Sequence, residues 1–253
     1  MQNTEVTLGP VSWKRMSDGI EKVKNRLMRA TRALDAKGVE YAVIGGNAVA
    51  AWVSRVDDSV VRNTRDVDLL VRRSDMGTVT AALESVGFVH RKTAILGGKG
   101  SIELFLDGPN AKARDAVYVV FAGEKVRQEF PEPAPGVERI DPTAKEFRLL
   151  DLEALVAMKL TSYRRKDQVH LLDMIEIGQI DESWLTRIPE SLRQRFQALL
   201  VFYLAECYFR TRLISSFMLL SRMEPGATSK PRSRCFSASS AICCCPSCMQ
   251  VST

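Results

Sequence analysis

An α/β fold followed by a helical region is the architecture this 253-residue sequence predicts, on three observations. Short apolar runs of strand length alternate with helix-period segments through roughly the first half. A proline-rich joint, "FPEPAPG", lies at residues 130–136 and marks the best candidate boundary. Beyond it the pattern is helical almost throughout, so the expected layout is 1–130, then a helical region 137–209, then a tail 210–253.

Each element has its own signal. "SDGIEKVKNRLMRATRALDAKG" predicts a helix capped by Ser17 or Asp18, with apolar Ile20, Val23, Leu27, Ala30 and Leu34 on one face and Gly38 as its stop. "VEYAVIGG" reads as a buried strand, and "NAVAAWVS" as a helix that Asn47 can cap. A polar loop, "RVDDSVVRNTR", leads to a strand "DVDLLV". A helix then runs from Ser74 to Gly87, followed by short strands "FVHRKTAIL", "SIELFLD" and "DAVYVVFAG". The helical half contains "DLEALVAMKLTSYRRKDQVHLLDMIEIG" and "DESWLTRIPESLRQRFQALLVFYLAE".

Composition narrows the function classes. Apolar residues make up 45% and charged residues 26%, which suits a soluble chain with a sizeable core. No signal-peptide layout opens the sequence, and the apolar stretch near residue 200 is broken by Glu206, Arg210 and Arg212. The expectation is a cytoplasmic protein without a membrane span. The net charge of +6 is concentrated late: from Arg210 onward stand six Lys or Arg and one acid, Glu224. The nearly neutral body before it is not the footprint of a duplex-binding protein. Five of the six cysteines lie from Cys235 onward, in a Ser-, Cys- and Pro-rich stretch without core patterning. Its "CCCPSC" holds one C-x-x-C, Cys245 and Cys248, with no second pair or nearby His for zinc. The abrupt change in composition points to a tail without a fold of its own, of the kind a shifted reading frame produces.

The chemistry concentrates in "GGNAVAAW" and "RNTRDVDLLV". Asp66 and Asp68 sit on alternate positions of a strand, so their carboxylates share a face. Two like charges that close repel, and burial without compensation is costly. Shared divalent cations resolve the conflict, and hard oxygen ligands suit Mg²⁺. Gly45 and Gly46 end the preceding strand where a helix starts, leaving backbone N–H groups that a phosphate can approach. A phosphate cradle and an acid pair together are the minimum for metal-assisted phosphoryl or nucleotidyl transfer. No G-x-x-x-x-G-K-[ST] loop and no G-x-S-x-G elbow is present, which removes P-loop and hydrolase-elbow chemistry.

On these residues the chain resembles the nucleotidyltransferase-fold superfamily, in particular minimal and abortive-infection toxin-type nucleotidyltransferases. The shared pattern falls on Gly45, Gly46, Arg62, Thr64, Asp66 and Asp68, with Asn47 where many relatives have Ser or Thr. The resemblance spans roughly residues 35 to 180 and implies a mixed sheet flanked by helices. It further implies Asp66 and Asp68 as catalytic metal ligands for Mg²⁺, with Mn²⁺ able to substitute. Gly45, Gly46, Asn47, Arg62 and Thr64 then belong to the nucleotide site. The toxin-type relatives carry a downstream basic segment, matched here by Lys159, Arg164, Lys166, Asp167 and Asp173. Lys159 and Lys166 are accordingly expected to bind nucleotide.

Relatives usually add a third carboxylate from a neighbouring strand. The strand "AVYVVFAG" offers Tyr118 there, so Glu103 of "SIELFLD" is the expected third catalytic acid, ahead of Asp107 and Asp115. Lys159, Tyr163, Lys166, His170 and Asp173 are spaced to line one face if their helix is continuous. The expected activity is Mg²⁺-dependent transfer of a nucleoside monophosphate from an NTP to an acceptor hydroxyl on a small molecule, a protein or an RNA end. The alternative is a catalytically weak module of the same fold that binds nucleotide or an antitoxin partner.

Overall fold

The computed structural model describes residues 12–91, 102–113 and 115–220. Two compact units divide the chain, Met1–Ser162 and Tyr163–Thr253.

The first unit is a mixed α/β structure. Its helices and strands run α1 Trp13–Ala36, β1 Tyr41–Ile44, α2 Gly45–Val53, β2 Val67–Val71, α3 Met76–Ser85, β3 Val89–Arg91, β4 Ile102–Leu106, β5 Ala116–Phe121 and α4 Leu152–Ser162. Five strands form one sheet in the order β1-β2-β5-β4-β3. Among these described strands β2 and β5 pair parallel, and the other three pairings are antiparallel. The mixed sheet flanked by helices is the one expected.

Register divides the sheet into two faces. Val43, Leu69 and Val119 lie side by side on one face, and Leu27, Ala30 and Leu34 of α1 and Val79, Ala82 and Leu83 of α3 bury against it. The opposite face carries Ile44, Asp68, Tyr118 and Leu104 in one row across β1, β2, β5 and β4. Helix α1 begins earlier than the sequence suggests. Ser17 donates to the Lys14 carbonyl and Asp18 pairs with Lys14, contacts made inside a helix rather than at a cap. Ile20, expected on the apolar face, is half exposed, so the buried stripe starts with Val23 and Leu27.

The proline-rich segment is not a domain boundary. Gly123 N–H donates to the Ala134 carbonyl and Ala134 N–H to that of Glu124, closing the segment back on the end of β5. The chain then runs along the free edge of β1, where Val43 N–H donates to the Arg148 carbonyl and Leu150 N–H to that of Val43. Pairing covers an edge that would otherwise present unsatisfied backbone groups. Prolines break the secondary structure here without releasing the chain from the first unit.

Tyr41 at the start of β1 is fully buried and donates its hydroxyl to Asp35 (3.1 Å). Burial first, and then the Asp35 charge, raise its pKa above the ordinary value of 10.0. The folded chain therefore keeps a proton that the unfolded chain releases near pH 10. Stability from this group is complete below about pH 10 and falls above it, by about 1.4 kcal/mol per pH unit. Tyr41→Phe should flatten the alkaline decline by that one proton. Denaturant titrations between about pH 9 and pH 11 check this, and an unchanged slope would refute it.

The second unit is helical, with α5 Arg165–Glu176, a short 3₁₀ turn at Glu182–Thr186 and α6 Glu190–Leu220. Its buried apolar side chains are Leu171, Met174, Ile175, Ile180, Trp184, Ile188, Leu192, Phe196 and Leu199. From Val201 most large side chains described on α6 are exposed, Val201, Phe202, Leu204 and Tyr208 among them, while Tyr203 is half-buried. Helix therefore continues eleven residues into the stretch expected to be an unstructured tail, and the cysteines Cys235–Cys248 lie outside the described residues. Among the described residues no helix is long and apolar enough to cross a membrane.

The helix expected to run continuously from Lys159 to Asp173 is broken. Tyr163 takes a left-handed backbone (φ 46°) between α4 and α5. Such a conformation costs a non-glycine residue about 1–2 kcal/mol. Two hydrogen bonds offset it: Tyr163 donates its hydroxyl to the Arg195 carbonyl (3.1 Å), and Gln168 Nε2 donates to the Tyr163 carbonyl (3.0 Å). Asp167, fully buried, then accepts from the Arg164 N–H and guanidinium at the start of α5.

Candidate nucleotide and metal site

Strand β1 ends at Ile44, and the chain turns directly into α2 through Gly45, whose φ of +70° favours glycine. Ile44 stands opposite Asp68 in the antiparallel ladder. A Cβ at Gly45 would fall within the Asp68 side chain, with Asp68 Cβ itself 2.8 Å away. At Gly46 a Cβ would lie 2.8 Å from both Cβ and Oγ1 of Thr64. The two glycines and the Thr-x-Asp-x-Asp segment thus fit against each other residue by residue. Glycine is required here by the acid strand's own side chains, a reason that backbone freedom and phosphate access had not supplied.

Hydrogen bonds fix the acid segment around that fit. Thr64 donates its hydroxyl to Asp66 Oδ1 (2.7 Å), and Asn47 Nδ2 donates to the Asp66 carbonyl (2.9 Å). Asn47 lies inside α2, so it joins the helix to the acid strand instead of capping the helix. Arg26 of α1 adds a third tie that the sequence reading missed. Its side chain is 4% exposed, its Nη1 donates to the Arg65 carbonyl (2.7 Å), and its Nε pairs with Asp107 (3.0 Å). The available signal was an arginine one position before Leu27, inside an apolar stripe. Asp107 is accordingly an ion-pair partner of Arg26 and Arg29, at the end of β4.

Gly45, Gly46, Asn47, Thr64, Asp66 and Asp68 therefore come together. Arg62 is exposed on the loop that precedes them. Glu103 does not join. Its ladder partner is Val119, which is paired in turn with Leu69, while Asp68 is in register with Tyr118 and Leu104. Neighbours in register point to the same face and adjacent residues to opposite faces. Glu103 consequently lies on the face opposite the acid pair, where its carboxylate meets His90 Nε2 (3.0 Å) and His90 stacks on Phe105 (ring centroids 4.6 Å). The expectation for Glu103 as third acid fails because alternation turns it away from its apolar neighbours and away from Asp68 together.

Lys159 is buried in the last turn of α4, a favourable position for a cation at a helix C-terminus. Lys166 is exposed on α5 in the other unit, while His170 and Asp173 on the same helix are buried. Tyr118 is half buried beside Asp68, and its hydroxyl donates to the Ala113 carbonyl (2.8 Å). Burial, and then the charges of Asp66 and Asp68, push its phenol pKa up, so it is neutral at physiological pH.

Asp68 lies within β2 and Asp66, expected on the same strand, in the bend just before it; two such carboxylates suit Mg²⁺, which is commonly held by one or two carboxylates with substrate phosphates completing its shell. Among the described residues no cluster of three or more His, Cys, Asp or Glu is placed to hold a metal by itself. The donor set fits a cation that is shared with a nucleotide.

No protein-family model matches the chain, and no curated protein does. Among solved structures, the solution structure of the antibiotic-resistance factor ANT(2″)-Ia is similar at 16% identity, covering 81% of this chain and 98% of the other, with a TM-score of 0.38. The crystal structure of ANT(2″)-Ia in complex with adenylyl-2″-tobramycin is similar at 16% identity, covering 74% and 98%, with a TM-score of 0.42.

Proposed function

We propose that the chain is a nucleotidyltransferase, moving a nucleoside monophosphate from a Mg²⁺-bound NTP to an acceptor hydroxyl. The observation that carries this reading is the interlock of Gly45 with Asp68 and of Gly46 with Thr64. A strand–helix turn that merely reversed the chain would need one permissive glycine. Two glycines, each matched to one side chain of the acid segment, bring the first N–H groups of α2 beside two carboxylates. Anions are favoured at a helix start, and Mg²⁺ links them to the acids.

In that arrangement Asp66 and Asp68 would hold Mg²⁺, which when bound supplies Lewis-acid neutralisation of the triphosphate. The start of α2 would receive phosphate oxygens, with Arg62 on the adjacent loop as an exposed cation. An acceptor oxygen donates its electron pair to the α-phosphorus as the α–β phosphoanhydride bond breaks. That bond's electrons leave on pyrophosphate, and the acceptor's proton passes to solvent. Thr64 and Asn47 would act by holding Asp66 in place. Lys159, in the last turn of α4, would contribute a cation from the same unit.

One observation favours a second reading. Tyr118 stands in register with Asp68 on the strand where the sequence resemblance implies a third carboxylate, and Glu103 lies on the other face. A module that keeps nucleotide binding with weak catalysis, as one half of a toxin–antitoxin pair, fits that residue. The purified protein incubated with each labelled NTP, Mg²⁺ and a cell extract separates the readings. Label should move to a small molecule, a protein or an RNA end, which identifies the acceptor class. NTP binding with no labelled product would establish the binding module instead.

A further inference from the structure

We propose that Tyr118 closes the side of the acid pair on which a third carboxylate would stand, limiting the site to one divalent cation that arrives with the nucleotide. This rests on the nucleotidyltransferase reading and specifies its metal chemistry. A second cation close to the first would add another double positive charge, which shared carboxylates ordinarily offset.

The acid face offers none beyond the pair. On β5 it presents Ala116, Tyr118 and Val120; on β4, Ile102, Leu104 and Leu106; on β1, Ala42 and Ile44. Residues 92–101, outside the described residues, contain no Asp or Glu in the sequence. Tyr118 itself is poorly suited as a ligand, because a neutral phenol is a weak donor to Mg²⁺ beside carboxylate and phosphate oxygens. It packs with Leu104, Leu106 and Ala116, which fills the position with apolar bulk. An acceptor hydroxyl consequently meets neither a carboxylate base nor a second metal on that side. Tyr118 acts here as a positioning residue.

The test counts Mn²⁺ by electron paramagnetic resonance, with a non-hydrolysable NTP analogue present. Wild type and Tyr118→Phe should each bind one nucleotide-dependent Mn²⁺ per chain. Tyr118→Asp, which places a carboxylate beside Asp68, should bind two. Two Mn²⁺ on the wild type overturn the inference, as does a single ion on a Tyr118→Asp protein that melts cooperatively. Should that variant fail to fold, the wild-type and Tyr118→Phe counts decide alone. Absence of nucleotide-dependent Mn²⁺ on the wild type is a different result: it overturns the transferase reading and this inference with it.

Discussion

Gly45→Ala should destabilise the chain by about 3 kcal/mol, lowering the melting temperature by roughly 10 °C, and should abolish NTP binding. Two costs combine. An alanine at φ +70° loses on the order of 1–2 kcal/mol against glycine. Its methyl would also occupy the space of the Asp68 side chain, and overpacking of this kind typically costs about 1–3 kcal/mol. Relief requires Asp68 to change rotamer or β1 and β2 to separate, and either displaces a proposed metal ligand. A double-mutant cycle isolates the contact: in an Asp68→Ala background, Gly45→Ala should cost only the backbone part, about 1–2 kcal/mol. Equal costs in both backgrounds would show that Gly45 and Asp68 do not meet as described. Gly46→Ala gives a parallel check through Thr64, without the positive φ.

That interlock also shows how far the sequence could be read. The Gly-Gly pair and the Asp-x-Asp pair were both visible, because each is a local pattern: a turn signal and a period-two alternation. Their mutual fit was not visible, since it depends on the β1–β2 register that sets Ile44 opposite Asp68. Glu103 shows the same limit from the other side. Alternation within β4 correctly turned Glu103 away from Ile102 and Leu104. Which face Asp68 occupies relative to β4 is decided by pairings through β5, and no local pattern encodes those. Arg26 escaped notice because a buried arginine is recognisable only through its partners, here the Arg65 carbonyl and Asp107, which are distant in sequence. The proline-rich segment misled for a related reason. Proline excludes regular structure, yet edge pairing by residues 148–150 keeps the chain in the first unit. On the helical side, the spacing from Lys159 to Asp173 is right for one face of one helix. The left-handed Tyr163 divides that helix, and its stabilising contacts come from Arg195 and Gln168 rather than from local propensity.

Asp66→Asn/Asp68→Asn should leave the protein folded and remove Mg²⁺-dependent NTP binding by about 100-fold or more, on the order of 3 kcal/mol. The substitutions preserve shape and most local bonding. An Asn at 66 can still accept the Thr64 hydroxyl on its amide oxygen, and Asn47 bonds to the backbone carbonyl of residue 66, which is unchanged. Arg26 likewise holds the Arg65 carbonyl and does not depend on either carboxylate. The lost quantity is therefore charge. Without metal, two neighbouring carboxylates repel, so the neutral pair should melt at the wild-type temperature or slightly above it. With Mg²⁺ and NTP, wild type should gain thermal stability through ligation and the variant should not. Calorimetric titration of NTP with and without Mg²⁺ separates the metal-dependent part of the affinity from whatever α2 and Arg62 contribute alone. Metal-free affinity should change little or rise, since two negative charges facing the triphosphate have gone. If the variant instead binds Mg·NTP as tightly as wild type, Asp66 and Asp68 are not the metal ligands. The pair would then serve only the contacts that Gly45 and Thr64 make with it.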